Sequence, residues 1–554
     1  MPTGGELVCD ALRDAGIDVL VGLPGTQTLP LDRVVATRPE MRYVMARHET
    51  AVPHVAWGYY EASGRPAATL TVPGPGDTNA MHGLKNALND NVPLIHVAAD
   101  VNPEDRGKGP IHEIEPDTVD NAVKANVTVE STLELREAVE RGVETALTPP
   151  LGPVRLGIPS RVLADPVESP PADVTPETVS YDTGPAVERA VAALADAQRP
   201  VLYVGGGARR AEGGPAAVRE LADALDAPVA VSYKGKGVVP DDDPRVVGVT
   251  ASHLNSGARR VLDAADVVLA VGTDFDGVTT DSWSLPMGDT LIHVTLDPDD
   301  VDAGYEADVP ILGDAAEAAA AIAERLPADA GGWAGPRIGA AVEEEYLAHL
   351  DGEGLLDDRA PAPTPATLRA IRGAVPDEAV VTTDIGGHRL WALQLFDALG
   401  PRRYVTAGSW AGMGVGLPAA VGARLARPER PVVSLHGDGG LMMCVHELHT
   451  AAEEGLDLVC VVFADDDYGI ISKSPEISDH GGGRQFAWSA PDFVGVAEGF
   501  NANGVAVDTP SAAADAVREA LDAGGPCVVC VETDPDQQSV VEAADYDSAV
   551  DLGN

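Results

Sequence analysis

Basic and aromatic residues are both scarce in this chain. Its 554 residues carry 38 Lys and Arg against 87 Asp and Glu, a formal charge of -49, and only 4% are aromatic. Such a charge argues against nonspecific capture of nucleic acid or of an anionic membrane, since both polyanions would be repelled. The acids are scattered through every region, which also argues against an acidic mimic or interaction protein built on clustered charge. A dispersed negative surface repels itself unless salt screens it, so the expectation is a halophilic protein of a salt-rich cytoplasm. Cysteine is scarce as well. Cys9, Cys444, Cys460, Cys527 and Cys530 are odd in number and have no framework spacing, which suggests reduced, buried thiols in an intracellular protein. The "CVVC" at 527–530 reads as part of a strand, where residues three apart face opposite sides, and not as a redox or metal pair. With no leader pattern and no bilayer-length apolar run, neither secretion nor membrane insertion is expected.

What is present is an ordinary apolar fraction, 45%, in a chain long enough for about three or four domains. Helical stretches such as "GELVCDALRDAG" alternate with short apolar runs such as "IDVLVGLPG", "AATLTVPGPG" and "PLIHVAAD", the rhythm of a parallel sheet covered by helices. The Pro-rich, acidic "DPVESPPADVTPETVSYDTGP" reads as a linker, and a second loose segment includes "DRAPAPTP". The division is therefore an α/β chain of three doubly wound parallel-sheet domains, 1–165, 184–330 and 366–540, with 541–554 as a frayed acidic tail.

Ligands in open α/β sheets sit at the carboxyl ends of strands. One apolar run, "VVSLHGDGG", ends in Gly437-Asp438-Gly439-Gly440 before the apparent helix "LMMCVHELHTAAEEG". Small residues let the backbone approach a phosphate, and an acid there can hold a divalent cation. The next run ends at Ala464, so Asp465 emerges at what reads as the adjacent strand end, 27 residues after Asp438. The "HELH" inside the helix places His446 and His449 three apart, not the four a zincin helix needs, and reads as structural.

Gly-Asp-Gly followed by a helix, a strand and an Asn-Asn or Asn-Asp pair before Tyr-Gly is the pattern of thiamine-diphosphate-dependent enzymes, which this stretch resembles. The resemblance implies Mg²⁺ held by Asp438, Asp465 and the backbone carbonyl of Asp467, with Tyr468, Gly469 and Ile470 completing the cofactor segment. Ala464 stands where the first Asn is common, and Asp465 adds a charge where it replaces Asn. The resemblance extends over almost the whole chain. "RHETAVPHVAWGYY", "GPGDTN" and "GLKNALNDNVPL" are similar to the family's pyrimidine-binding domain, which implies that Glu49 hydrogen-bonds the aminopyrimidine and promotes its imino tautomer. "TTDIGGHRLWA" implies diphosphate contacts from Gly386, Gly387 and His388, and "AGMGVGLPAAVGA" implies that Met413 wedges apart the two cofactor rings.

The pattern is most similar to acetohydroxyacid (acetolactate) synthase large subunits, which implies decarboxylation of pyruvate and ligation to a second 2-oxo acid. "GLPGTQTLP" and "NAMHGLKNALNDNVPLI" are also similar to benzoylformate decarboxylases, leaving simple decarboxylation as the alternative. Thr26 and His112, the latter where synthases have Gln, are the substrate-facing candidates. The central domain resembles one that binds FAD in many synthases, but Asp274 stands where an Arg often follows Gly-Thr. Family architecture implies a homodimer or homotetramer, with Glu49 of one subunit facing the diphosphate site of another, and leaves a regulatory subunit open.

Overall fold

The computed structural model describes residues 1–168, 181–328, 330–481 and 483–553; most of the expected linker lies outside them. Among the described residues three six-stranded sheets organise the fold, and every strand pairing within them is parallel. The first contains β1 (Val19–Gly22), β2 (Arg42–Met45), β3 (Ala67–Thr71), β4 (Leu94–Ala98), β5 (Ala125–Thr128) and β6 (Val154–Gly157), in the order β2-β1-β3-β4-β6-β5. The second contains β7 (Pro200–Val204), β8 (Val229–Val231), β9 (Val246–Val249), β10 (Val267–Val271), β11 (Thr290–Thr295) and β12 (Val309–Leu312), in the order β12-β11-β10-β7-β8-β9. The third contains β13 (Val380–Thr383), β14 (Tyr404–Val405), β15 (Val432–Gly437), β16 (Leu458–Ala464), β17 (Asn503–Val507) and β18 (Pro526–Glu532), in the order β14-β13-β15-β16-β18-β17.

The first and third sheets thus share one topology, whereas the second has the order common in dinucleotide-binding sheets. All three reverse direction internally, between β1 and β3, between β7 and β10, and between β13 and β15. Crevices open at such switch points, beyond the carboxyl ends of the strands.

Both faces of each sheet are covered, as doubly wound sheets require. Val19 and Val21 of β1 join one buried cluster and Leu20 another. The same alternation sends Cys527 of β18 to one core and Cys530 to the opposite one, and all five cysteines are free. The outer units pack directly through the helices Ala51–Ser63 and Gly416–Ala426. A Cβ on Gly58 would lie 2.4 Å from the Ala419 carbonyl oxygen, and one on Gly422 would lie 2.1 Å from that of Val55. Glycine is required there because the two helix backbones touch.

Three expectations are corrected. The segment after 330 is not loose throughout, for Gly335–Gly352 is a helix whose Ile338, Val342, Tyr346 and Leu350 are buried. The acidic tail is not frayed: Glu345 accepts from Ser548 Oγ and Ala549 N, both at 2.6 Å, Tyr546 stacks on His349 at 4.6 Å, and Val550 is buried. Finally, the stretch after Gly437 is two helices, Asp438–Cys444 and Glu447–Glu453, broken at Val445-His446. Among the described residues no helix is long and apolar enough to cross a membrane.

Candidate active site

The β15–β16 register aligns Gly437 with Phe463, so the chain segments bearing Asp438 and Asp465 leave neighbouring strands at one edge. Asp438 is buried, accepting from Gly439 N at 2.6 Å and from Asp466 N at 2.9 Å. Burial, reinforced by the nearby Asp465 carboxylate, pushes Asp438 up to about 7. Burial likewise raises Asp465, with Lys473 opposing. Two neighbouring acids with raised proton affinity, Asp438 in part because of Asp465, offer a site that a divalent cation would relieve. Asp466 has φ +56° and turns the backbone between Asp465 and Asp467. The Asp467 side chain accepts from Ser472.

The other cradle residues converge here. A Cβ on Gly437 would meet His388 Nδ1 at 3.3 Å, one on Gly439 would meet Tyr468 Cε1 at 2.8 Å, and one on Gly440 would meet Asp384 at 3.1 Å. Gly386 and Gly387 open the helix bearing His388, and Ile470 reaches to 3.9 Å of a Cβ on Gly387. Gly469 lies beside Asp465, 3.4 Å from its Oδ2 if a Cβ is built there. His388 is buried, stacked on Phe463 at 5.8 Å, and its Nε2 has no hydrogen-bond partner. Burial pushes its pKa down to about 3, leaving a neutral ring. An orphaned buried imidazole nitrogen in a glycine cradle, beside two acids of raised proton affinity, fits a diphosphate with its cation.

Met413 is half-buried on the loop before Gly416–Ala426, next to Gly414 at φ +84°. Asp384, buried at the end of β13, accepts from Gly414 N at 2.9 Å and Gly416 N at 3.0 Å, bracketing that turn. Asp384, His436 and Cys444 bring three potential ligand atoms within 4.8 Å of one another. The carboxylate is already used by these backbone donors, and His436 Nε2 pairs with Ser434 Oγ at 2.7 Å, so the group reads as structural.

Glu49 lies beyond β2, at the carboxyl edge of the first sheet, with Asn79 Nδ2 donating to its carboxylate at 3.0 Å. Buried Glu447, on the helix following the Asp438 turn, accepts from Arg47 N at 2.9 Å and His48 N at 3.2 Å. Among the described residues no hydrogen bond or ion pair joins Glu49 to Asp438, Asp465 or His388. Thr26 is exposed on the loop after β1; its neighbour Gln27 donates to the Ile111 carbonyl at 3.4 Å, which brings that loop beside His112. His112 has φ +64° and its carbonyl faces Gly74, so all three loops gather near the β1–β3 switch point. Sequence reasoning missed Asp384, Glu447 and Asn79 as supports, although each lies inside a stretch quoted for another residue.

Three family models match in succession: the N-terminal TPP binding domain of thiamine pyrophosphate enzymes at residues 2–121, their central domain at 187–322, and their C-terminal TPP binding domain at 384–531. The acetolactate synthase isozyme 3 large subunit of Escherichia coli (strain K12) is 30% identical over 538 residues, 94% of this chain and 92% of the relative. The chain belongs to the thiamine pyrophosphate enzyme family. A second relative is the isozyme 1 large subunit of the same organism, 28% identical over 97% of this chain and 95% of its own length. The mitochondrial acetolactate synthase catalytic subunit of Saccharomyces cerevisiae (strain ATCC 204508 / S288c) is 25% identical over 96% and 81%. The chain is accordingly an acetolactate synthase-like, thiamine-diphosphate-dependent enzyme.

Proposed function

We propose that this thiamine pyrophosphate enzyme uses Mg²⁺ and acts on 2-oxo acids as an acetolactate synthase-type carboligase, decarboxylating pyruvate and joining the fragment to a second 2-oxo acid. The observation that carries the proposal is the pairing of Asp438 with Asp465 beside the unpartnered Nε2 of His388, at the switch point of the third sheet.

In this reading Asp438, Asp465 and the Asp467 carbonyl hold the cation, and the backbones of Gly386, Gly387, Gly437, Gly439 and Gly440 with the neutral His388 ring receive the diphosphate. Tyr468, packed over Gly439, walls that cradle together with Gly469 and Ile470. Bound thiamine diphosphate supplies the electron sink for the pair left when CO₂ departs. Glu49 holds a proton against the pyrimidine ring, and Met413 keeps the rings bent together. Thr26 and His112 border the substrate.

Glu49 and the cradle belong to different halves of the chain, and among the described residues no hydrogen bond or ion pair joins them, so the complete site is assigned to a homodimer, or a homotetramer of such dimers, with each cradle facing Glu49 of a second copy. Met45 near Glu49, and Trp410, Met443, Ile470 and Ile471 around the cradle, are exposed, which suits a covered surface. The relatives carry "large subunit" in their names; a smaller companion chain for this one is read out by co-purification. The acidic composition supports a salt-rich cytoplasm as the enzyme's setting.

The test is reconstitution in high salt with thiamine diphosphate and Mg²⁺, followed by pyruvate. CO₂ together with acetolactate is expected, and Glu49→Gln should abolish both while retaining cofactor. Aldehyde without acetolactate would replace the carboligase reading with the benzoylformate decarboxylase-like one. Failure to bind the cofactor would overturn the assignment.

A further inference from the structure

The central sheet has the strand order and switch point at which dinucleotides bind, between β7 and β10. A cavity of ≈ 270 Å³ opens there, reaching from Gly206 and Gly272 to Asn89 and Gly408. A flavin dinucleotide would bring a diphosphate to this point, which needs unspent backbone N–H groups and positive charge.

The cavity provides little of either. Gly205 N donates to the Val271 carbonyl at 2.9 Å and Gly207 N to that of Gly272 at 2.7 Å. The glycine turn is therefore closed against the opposing loop. Its small residues serve that packing, since a Cβ on Gly205 would lie 2.2 Å from Gly272 O. Two cations line the cavity, Lys234 and Arg210. The Lys234 ammonium gives its three protons to Glu61 at 2.8 Å, Asp90 at 2.7 Å and the Thr406 carbonyl at 2.9 Å. Arg210 gives one of its five N–H groups to the Asp90 carbonyl at 3.1 Å. Against them stand Asp274, Asp276, Asp297, Asp300 and Asp314, all at the carboxyl edge of the sheet.

We infer that the central domain of this chain does not hold FAD: the turn that would receive the diphosphate has spent the Gly205 and Gly207 N–H groups on its own backbone, and the carboxylates around the cavity reject phosphoanhydrides. The inference concerns the second sheet alone and stands or falls independently of the thiamine diphosphate site in the outer units.

The experiment uses the full chain reconstituted with thiamine diphosphate and Mg²⁺. Its visible spectrum is recorded for flavin, and FAD and ADP are titrated in by calorimetry. No flavin and no heat of binding from either probe are expected. The double variant Asp274→Asn, Asp297→Asn keeps the side-chain acceptors for Asp276 N and Asp299 N, and retained thiamine diphosphate binding reports that it has folded. Its affinity for FAD should rise at least about tenfold as two like charges are removed. Stoichiometric flavin in the natural chain would overturn the inference, and so would a double variant that binds FAD no better than the natural chain.

Discussion

The Glu447 carboxylate accepts the backbone N–H of Arg47 at 2.9 Å, and the same oxygen accepts that of His48 at 3.2 Å. Its second oxygen takes the Thr450 hydroxyl at 2.5 Å. A helix of the third sheet's unit thereby fixes the strand end that delivers Glu49 from the first. Glu447→Ala removes an acceptor for two N–H groups and releases Glu49, and a displacement of about 1 Å costs on the order of 100-fold in turnover. Glu447→Gln preserves the carbonyl acceptor and should stay within a few-fold of the natural enzyme. Steady-state kinetics across pH check this, and equal losses in both variants would show that the charge, and not the backbone tether, matters.

The metal site yields an asymmetric expectation. Asp438 is buried and also organises its own turn through Gly439 and Asp466, whereas Asp465 is half-buried. Asp438→Asn, which also disturbs that turn, should weaken Mg²⁺-dependent cofactor binding by at least about 100-fold, and Asp465→Asn by less than about tenfold. Calorimetric titration of Mg²⁺ in the presence of thiamine diphosphate separates the two. Equal effects would contradict the assignment of Asp438 as the principal ligand.

Acid should unfold the protein in two stages. His253 is buried and pushed down to about 3 from 6.5, as is His54. The unfolded chain takes up protons below 6.5 that the folded rings refuse until about 3, so stability falls as pH drops through that window. Glu61 acts at lower pH. Burial would raise its pKa, but Arg209 and Lys234 hold it well below its usual 4.5. Its contribution is complete above 4.5 and is lost as pH falls towards the folded value. Denaturant unfolding at about pH 7 and about pH 5 should show His253→Leu losing less stability than the natural chain by up to one proton's worth of slope. Glu61→Gln, which leaves Arg209 without its buried partner, should cost about 3–5 kcal/mol at pH 7. An unchanged pH slope in His253→Leu would refute the first stage.

The buried strands were legible because continuous apolar runs such as "LDLVCVVFA" and "PCVVCVETD" end in Gly, Asp or Thr, and these became β16 and β18. Edge strands escaped notice: β5, β9 and β17 are only partly buried and carry no such run. The shared topology of the outer sheets is equally silent in the sequence, because strand order is set by which crossovers pack and not by local pattern. At the candidate site, residues presented at strand ends could be located from spacing. Glu447 could not, since its partners lie 400 and 399 residues away. Its neighbours in "HELH" suggested only a structural helix, and the break at Val445-His446 that aims it at Arg47 leaves no mark in the periodicity.

Asp384 provides the last test. Its carboxylate accepts from Ile385 N, Gly414 N and Gly416 N, and His436 Nδ1 approaches it to 3.4 Å. Burial would raise its pKa, but the His436 contact and the backbone donors hold it low, so it remains an acceptor. Asp384→Asn keeps the volume and replaces one acceptor by a donor, leaving an amide facing another N–H in a space closed to water. A buried donor without a partner costs about 1–3 kcal/mol. The strain falls on the loop between Ala411 and Gly416, because β13 and β15 are fixed by sheet pairing on both sides while Gly414, at φ +84°, is the part free to turn. Met413 would then lose its position. The variant should bind Mg²⁺ normally through Asp438 and Asp465, yet turn over about 100-fold more slowly. Turnover and metal affinity measured on the same preparation decide the matter: an unchanged rate in a folded Asp384→Asn enzyme would mean that the Met413 loop holds its shape without this clamp.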